Sequence, residues 1–290
     1  MASVFDAAVV TVTLVIMTAS GLNLEAGQLR QLLPRRAVLP AVLAGQAVLL
    51  PLLGLALVHI LPVSAPLRAG VLMVAACPVG NVVNLYVMLA AADLPLSLAV
   101  NALSCLLSAG TMALVFHGYT RILGEPFAFA VPPGRLAAGM ALLVAVPVLA
   151  GMAIRRCRPA LAGRLDRPLR AASLAGVVLL LGLVFATQGA QIRQSEWIGT
   201  VCAALAFTGG ALLTGLLFGR SLRLDSRSSF TVGLLFATRN VGLAMTIAAA
   251  VLGRLDFAVF AAVYFLAETP LLLGAAELFR RRFSGASSER

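Results

Sequence analysis

Nine apolar stretches follow one another along this chain with few charges inside them, and most reach the roughly 20 residues that a helix needs to cross hydrocarbon. They run over residues 4–22, 37–62, 69–92, 96–118, 136–154, 171–190, 197–219, 228–252 and 257–279. A water-soluble domain cannot accommodate so much apolar surface. Here 61% of residues are hydrophobic and 11% charged, against about 25% charged in an ordinary globular composition. The expected fold class is an all-α polytopic membrane protein with nine transmembrane helices. The connections are short, so residues 1–290 read as a single membrane domain.

Arginine placement orients the spans, because cytoplasmic loops carry the excess of basic residues. All 22 basic residues are arginine. With the N-terminus outside, the inner segments hold Arg30, Arg35, Arg36, Arg155, Arg156, Arg158, Arg164, Arg167, Arg170, Arg220, Arg223, Arg227, Arg280, Arg281, Arg282 and Arg290, which is 16. The outer segments hold five: Arg68, Arg121, Arg135, Arg193 and Arg254. That split predicts a multi-pass protein of the cell (inner) membrane with its C-terminus cytoplasmic. It also accounts for the net charge of +11 through loops facing the bilayer, so no nucleic-acid partner is implied. The first arginine is Arg30, so the N-terminal apolar run lacks the basic start of a secretory signal and is expected to remain as the first span. Cys77, Cys105, Cys157 and Cys202 show no C-x-x-C spacing and no adjacent histidine. They suggest neither a zinc site nor a disulfide framework, and no cofactor is expected.

Two spans do not read as plain lipid-facing helices. Span three, "AGVLMVAACPVGNVVNLYVMLAAAD", places Pro78, Gly80, Asn81 and Asn84 close together at mid-membrane. Proline removes a backbone donor and glycine loosens the helix, so a break near Pro78–Gly80 is expected. Backbone freed at that depth must be buried in protein or line a cavity. Span eight, "SSFTVGLLFATRNVGLAMTIAAAVLG", has Thr238, Arg239, Asn240 and Gly242 at a matching depth, and Arg239 is its one ionisable residue. Matching interruptions in two halves point to a transporter site. The halves enter the membrane in opposite senses, which reads as an inverted repeat with one helix missing from the first half. In span four, Ser97, Asn101, Ser104 and Ser108 stand on one helical face. Serine there often serves helix packing alone, so Ser97 and Asn101, near the break, are the better site candidates. Gln46 is an uncharged polar residue in the otherwise apolar span two, and Glu268 in "FLAETPLLL" is the one carboxylate near the middle of any span.

"CPVGNVVNLYVMLAAADLPLSLAVNALS" and "FATRNVGLA" resemble the two crossover segments of the bile acid:sodium symporter family, and "SGLNLEAGQLRQLLPRRAVLPAVLAGQAVLLPLLGLAL" is similar to that family's first membrane hairpin. The resemblance covers nearly the whole chain. It implies two crossing broken helices and a core domain (residues 37–118 and 197–279) that moves against a panel domain (4–22 and 136–190). It also implies roles. Gln46, Asn84, Ser97 and Asn240 stand where the family has the same polar residues near its sodium sites and substrate cavity. Val83 stands at a serine position of sodium-coupled members and Asn101 at a threonine position. Leu235 replaces a glutamate that bridges both sodium sites, and Arg239 replaces a sodium-binding glutamine. The scaffold is matched while the sodium ligands are not.

The reading that follows is a secondary-transporter-like carrier of a small organic solute, anionic in character, working by alternating access without sodium coupling. Asn81, Asn84, Thr238, Arg239 and Asn240 are its expected substrate-binding residues, with half-helix N-termini facing the anion. Arg239 stands in for a bound sodium, with Glu268 as its charge partner. The alternatives are a sodium-coupled organic anion symporter with a rearranged site, or a non-transporting receptor or channel on the same fold. An intramembrane enzyme is disfavoured: without lysine there is no serine–lysine dyad, His59 and His117 lie near outer span ends, and no H-E-x-x-H occurs.

Overall fold

A computed structural model of the chain describes residues 2–22, 37–61, 64–124, 133–188 and 194–284. Helices form α1 (Ala2–Leu22), α2 (Val38–Ile60), α3 (Ala65–Ala76), α4 (Val83–Leu89), α5 (Leu94–Leu123) and α6 (Pro133–Met140). They continue with α7 (Val146–Cys157), α8 (Pro159–Gln188), α9 (Gln194–Ser221), α10 (Ser226–Ala237), α11 (Val241–Thr246) and α12 (Ala258–Ser284). A π-helical turn, Ala141–Ala145, joins α6 to α7, and another, Ile247–Val251, prolongs α11. Among the described residues, six helices are long and apolar enough to cross a membrane, and Val9–Leu22, Ala65–Ala76 and Val241–Val251 are shorter apolar helices. The protein is an all-helical, multi-pass membrane protein.

The two suspect spans are interrupted, for different local reasons. Pro78 has no N–H to continue α3 and forces the residue before it out of the helical region. Cys77 accordingly takes φ −64 and ψ 151, and helix resumes only at Val83. The second interruption has no proline. Thr238 is extended at φ −103 and ψ 111, and the Asn240 side chain accepts the Leu243 N–H at 3.0 Å to start α11 afresh. One boundary differs from expectation. α8 begins at Pro159 rather than near residue 171, so most of the arginine-rich stretch is helical. Leu, Ala and Arg are strong helix formers, and proline is tolerated in a first turn. Arginine density reports which side of the membrane a segment faces, not whether it coils.

Burial separates the helices. Every residue from Ser228 to Ala237 in α10 and from Ala69 to Ala76 in α3 is buried, whereas α8 exposes Leu174, Val178 and Leu179. The first halves of the broken helices, α3 and α10, therefore sit inside the protein, where freed backbone finds partners instead of lipid. α12 packs on α3, α4, α9 and α11, while α1 lies against α7 and α8. Gly21 and Gly151 permit that last approach, since a methyl group on either would meet the other helix's backbone. Asp93 ties the start of α5 to α10. Its carboxylate accepts the Leu96 N–H at 3.1 Å and the Ser228 hydroxyl at 2.8 Å, and its N–H donates to Thr231 Oγ1 at 2.9 Å.

Candidate functional site

At their interruptions the two broken helices cross and pair. Val79 and Arg239 form an antiparallel bridge. The Gly80 N–H donates to the Thr238 carbonyl at 3.2 Å and the Asn240 N–H to the Pro78 carbonyl at 2.9 Å. Backbone donors left over from the broken ladders need partners, and side chains from neighbouring helices supply them. The Val79 N–H donates to Ser104 Oγ at 3.1 Å, and the Arg239 N–H to Tyr264 Oη at 3.2 Å. The Tyr264 hydroxyl donates in turn to the Ala237 carbonyl. A Cβ on Gly80 would stand 2.6 Å from the Arg239 carbonyl oxygen, so the crossing requires glycine there.

Beside the crossing lies a cavity of about 650 Å³. Asn81, Asn84, Arg239 and Asn240 line it from the two broken helices, and Ile16, Ala19, Val177 and Ser173 from α1 and α8. Four of the five expected substrate-binding residues thus share one wall. Thr238 does not: it is fully buried, lines neither this cavity nor the smaller one described next, and its hydroxyl has no hydrogen-bond partner. The smaller cavity, about 40 Å³, is lined by Gln46, Cys77, Ser104, Thr111 and also Arg239. Arg239 is therefore common to both.

The polar side chains around the breaks engage one another. The Ser97 hydroxyl donates to Asn84 Oδ1 at 2.8 Å, Asn101 Nδ2 to Asn81 Oδ1 at 3.0 Å, and Asn81 Nδ2 to Ser20 Oγ at 2.6 Å. Gln46 Nε2 reaches the Leu235 carbonyl at 3.4 Å. The Val83 and Leu235 side chains are fully buried hydrocarbon. A sodium ion needs several free oxygens. Here the amide oxygens of Asn81 and Asn84 and the Leu235 carbonyl already accept protein donors.

Charge at the site is left without hydrogen bonds. Arg239 is 2% exposed and Glu268 fully buried. Arg239 Nε and Nη2, both Glu268 oxygens and Asn240 Nδ2 have no partner. The direct ion pair expected between Arg239 and Glu268 is not made; Arg239 borders both cavities, whereas Glu268 lines neither. The two remain within electrostatic range of each other, together with Tyr264. Sequence reasoning also missed Arg155 and Asp166, which line the large cavity from α7 and α8. They were legible only as loop charges. Sequence reasoning did not single out Tyr264, which fastens the second break.

A helical multi-pass protein whose two broken helices cross beside a large cavity belongs to the class of membrane transporters built around such a crossing. The family model of the sodium bile acid symporters matches residues 10–195, and the chain belongs to that family. A protein of Bacillus subtilis (strain 168) bearing the name "Uncharacterized sodium-dependent transporter YocS" is 24% identical over 236 residues, covering 81% of this chain and 72% of the relative.

Proposed function

We propose that the protein is an alternating-access carrier of a small organic anion that works without sodium. The carrying observation is the cavity wall where Arg239 and Asn240 border about 650 Å³ of space, with guanidinium and amide donors that no protein group accepts. A permanent cation and an amide without protein acceptors, on residues that border a cavity, suit a carboxylate or sulfonate. The same cation opposes sodium. At about 4 Å and an effective dielectric of about 20, two unit charges repel by about 4 kcal/mol, roughly a thousandfold in affinity. The carrier has nine spans in the inner membrane, N-terminus outside and C-terminus cytoplasmic. Residues 37–118 and 197–279 form the core and residues 4–22 and 136–190 the panel, and the cavity lies between the two. Arg155 and Asp166, from the cytoplasmic side in this topology, line that cavity and give it an inward-facing aspect.

The second reading, a sodium-coupled symporter with a rearranged site, draws on the name of the Bacillus subtilis relative. A thermal-shift screen of purified protein separates the two. Carboxylates, sulfonates and neutral solutes are each tested in sodium chloride and in choline chloride at equal ionic strength. A ligand at 100 times its Kd stabilises by about 2.7 kcal/mol. Anions are expected to stabilise equally in both salts. Stabilisation by neutral solutes alone refutes the anion, and anion binding markedly stronger in sodium refutes sodium independence.

A further inference from the structure

Glu268 is unused by the reading above. It sits on α12 one helical turn after Tyr264, the residue that clamps the second break through the Arg239 N–H and the Ala237 carbonyl. Residues four apart share a helix face, so Glu268 and the clamp face the crossing together. Its side chain is fully buried, and its oxygens make no full hydrogen bond, with only the Tyr264 hydroxyl and the Arg239 N–H close enough to offer partial compensation. An ionised carboxylate in that state has lost water without full replacement, and the usual resolution is to bind a proton. Arginine has no such option. The titratable and charged groups facing Glu268 are Arg239 from the second break, Tyr86 from α4 and Tyr264 from α12 itself. The other elements packed on α12 bring none to it among the described residues.

Charge balance then constrains the transport cycle. With the cavity empty, an ionised Glu268 offsets Arg239. An anion entering beside Arg239 would leave the site with one uncompensated negative charge in a low-dielectric interior. We infer that Glu268 is a proton-binding site that couples the carrier to protons in place of sodium, so that the anion and one proton bind together. The inference rests on the anion-carrier reading of the cavity. One proton, taken from water on the side to which the carrier is open, adds to one Glu268 oxygen when the anion binds and leaves when the anion leaves. No electron moves. Arg239 is offset by Glu268 in one state and by the substrate in the other, and the Tyr264 clamp joins that exchange to the crossing.

The test has two readouts on full-length protein in lipid nanodiscs. The first needs no ligand. Infrared difference spectra between acidic and alkaline buffer are expected to contain a protonated-carboxyl band that is absent from Glu268→Gln. The same band surviving in Glu268→Gln, or no such band in the wild type, overturns the proton site. The second uses benzenesulfonate, which is permanently ionised, so that any proton taken up is the protein's. Calorimetry in buffers of different ionisation enthalpy is expected to show about one proton taken up per anion, with affinity rising about tenfold per unit fall in pH. Glu268→Gln is expected to bind benzenesulfonate with no proton uptake and no pH slope. Binding without proton uptake in the wild type overturns the coupling and leaves the carrier reading standing. Failure of benzenesulfonate to bind while the infrared band is present counts against the anion-carrier reading and the coupling that rests on it, not against the proton site. Glu268→Asp, which keeps a carboxyl group, is expected to restore the band should Glu268→Gln elute aggregated.

Discussion

Gly80→Ala tests whether the crossing of the broken helices holds the structure together. An added Cβ would stand 2.6 Å from the Arg239 carbonyl oxygen, 3.0 Å from its carbon and 3.4 Å from the Asn240 nitrogen. All three are backbone atoms, and none can rotate away. Relief requires the two breaks to separate by several tenths of an ångström, which strains or breaks the bonds from the Gly80 N–H to Thr238 and from the Asn240 N–H to Pro78. Two such bonds are worth about 0.5–1.5 kcal/mol each, and overpacking adds about 1–3 kcal/mol. The expected destabilisation is therefore about 2–6 kcal/mol. Gly274→Ala is the control: it lies within α12 and an added Cβ there meets nothing within 4 Å. Its effect is expected to stay within about 1 kcal/mol and to lie on the stabilising side. Thermal melts of both variants in the same detergent give the comparison. A Gly80→Ala protein that melts with Gly274→Ala and the wild type would show that the crossing has slack, and the account of the site geometry would fail.

Three further outcomes follow from the same geometry. Reporter fusions at Arg158 and Gly124 are expected to report cytoplasmic and external locations respectively, and the reverse would invert the topology. Asn240→Asp keeps the oxygen that caps Leu243 but replaces the free Nδ2 with negative charge. Anion affinity should fall more than about tenfold, the equivalent of about 1.4 kcal/mol, and unchanged affinity in calorimetry of the folded variant would remove Asn240 from the site. Asn101→Leu cuts the chain from Asn101 through Asn81 to Ser20 that links α5, the first break and α1. It is expected to cost about 1–3 kcal/mol in a thermal melt, and a neutral result would make that chain dispensable.

Both breaks were legible because they rest on residues with few alternative uses. A proline and asparagines at mid-span, and an arginine among hydrocarbon, have no easy lipid-facing explanation. The start of α8 was not legible, because the arginines that orient a segment also favour helix. Ser104 was indistinguishable from a packing serine until the Val79 N–H was seen to need its oxygen. Tyr264 carried no signal, since a tyrosine in an apolar helix reads as core. The pairing of Arg239 with Glu268 failed for a different reason. Sequence locates two opposite charges at similar depth, but contact depends on which way each side chain leaves its backbone.

That failure leads to the most discriminating experiment on Arg239. Its backbone is structural, through the bridge to Val79 and the bond to Tyr264, but its guanidinium Nε and Nη2 hold nothing in place. A charged residue at mid-membrane costs about 2.5–3.5 kcal/mol on insertion scales. Removing one buried charge alone would strand the other, which is why a single substitution is ambiguous. The double variant Arg239→Met with Glu268→Gln removes both and keeps side-chain volume, and methionine retains the flexible apolar stem. Replacing buried charges by well-fitting neutral groups is neutral or stabilising by about 1–4 kcal/mol. The double variant is therefore expected to melt at or above the wild-type temperature and to lose anion binding altogether. If it melts several kcal/mol below wild type, the charges are architectural, and the assignment of Arg239 to substrate falls. If it keeps both stability and anion binding, the recognising cation must be sought elsewhere on the cavity wall, at Arg155.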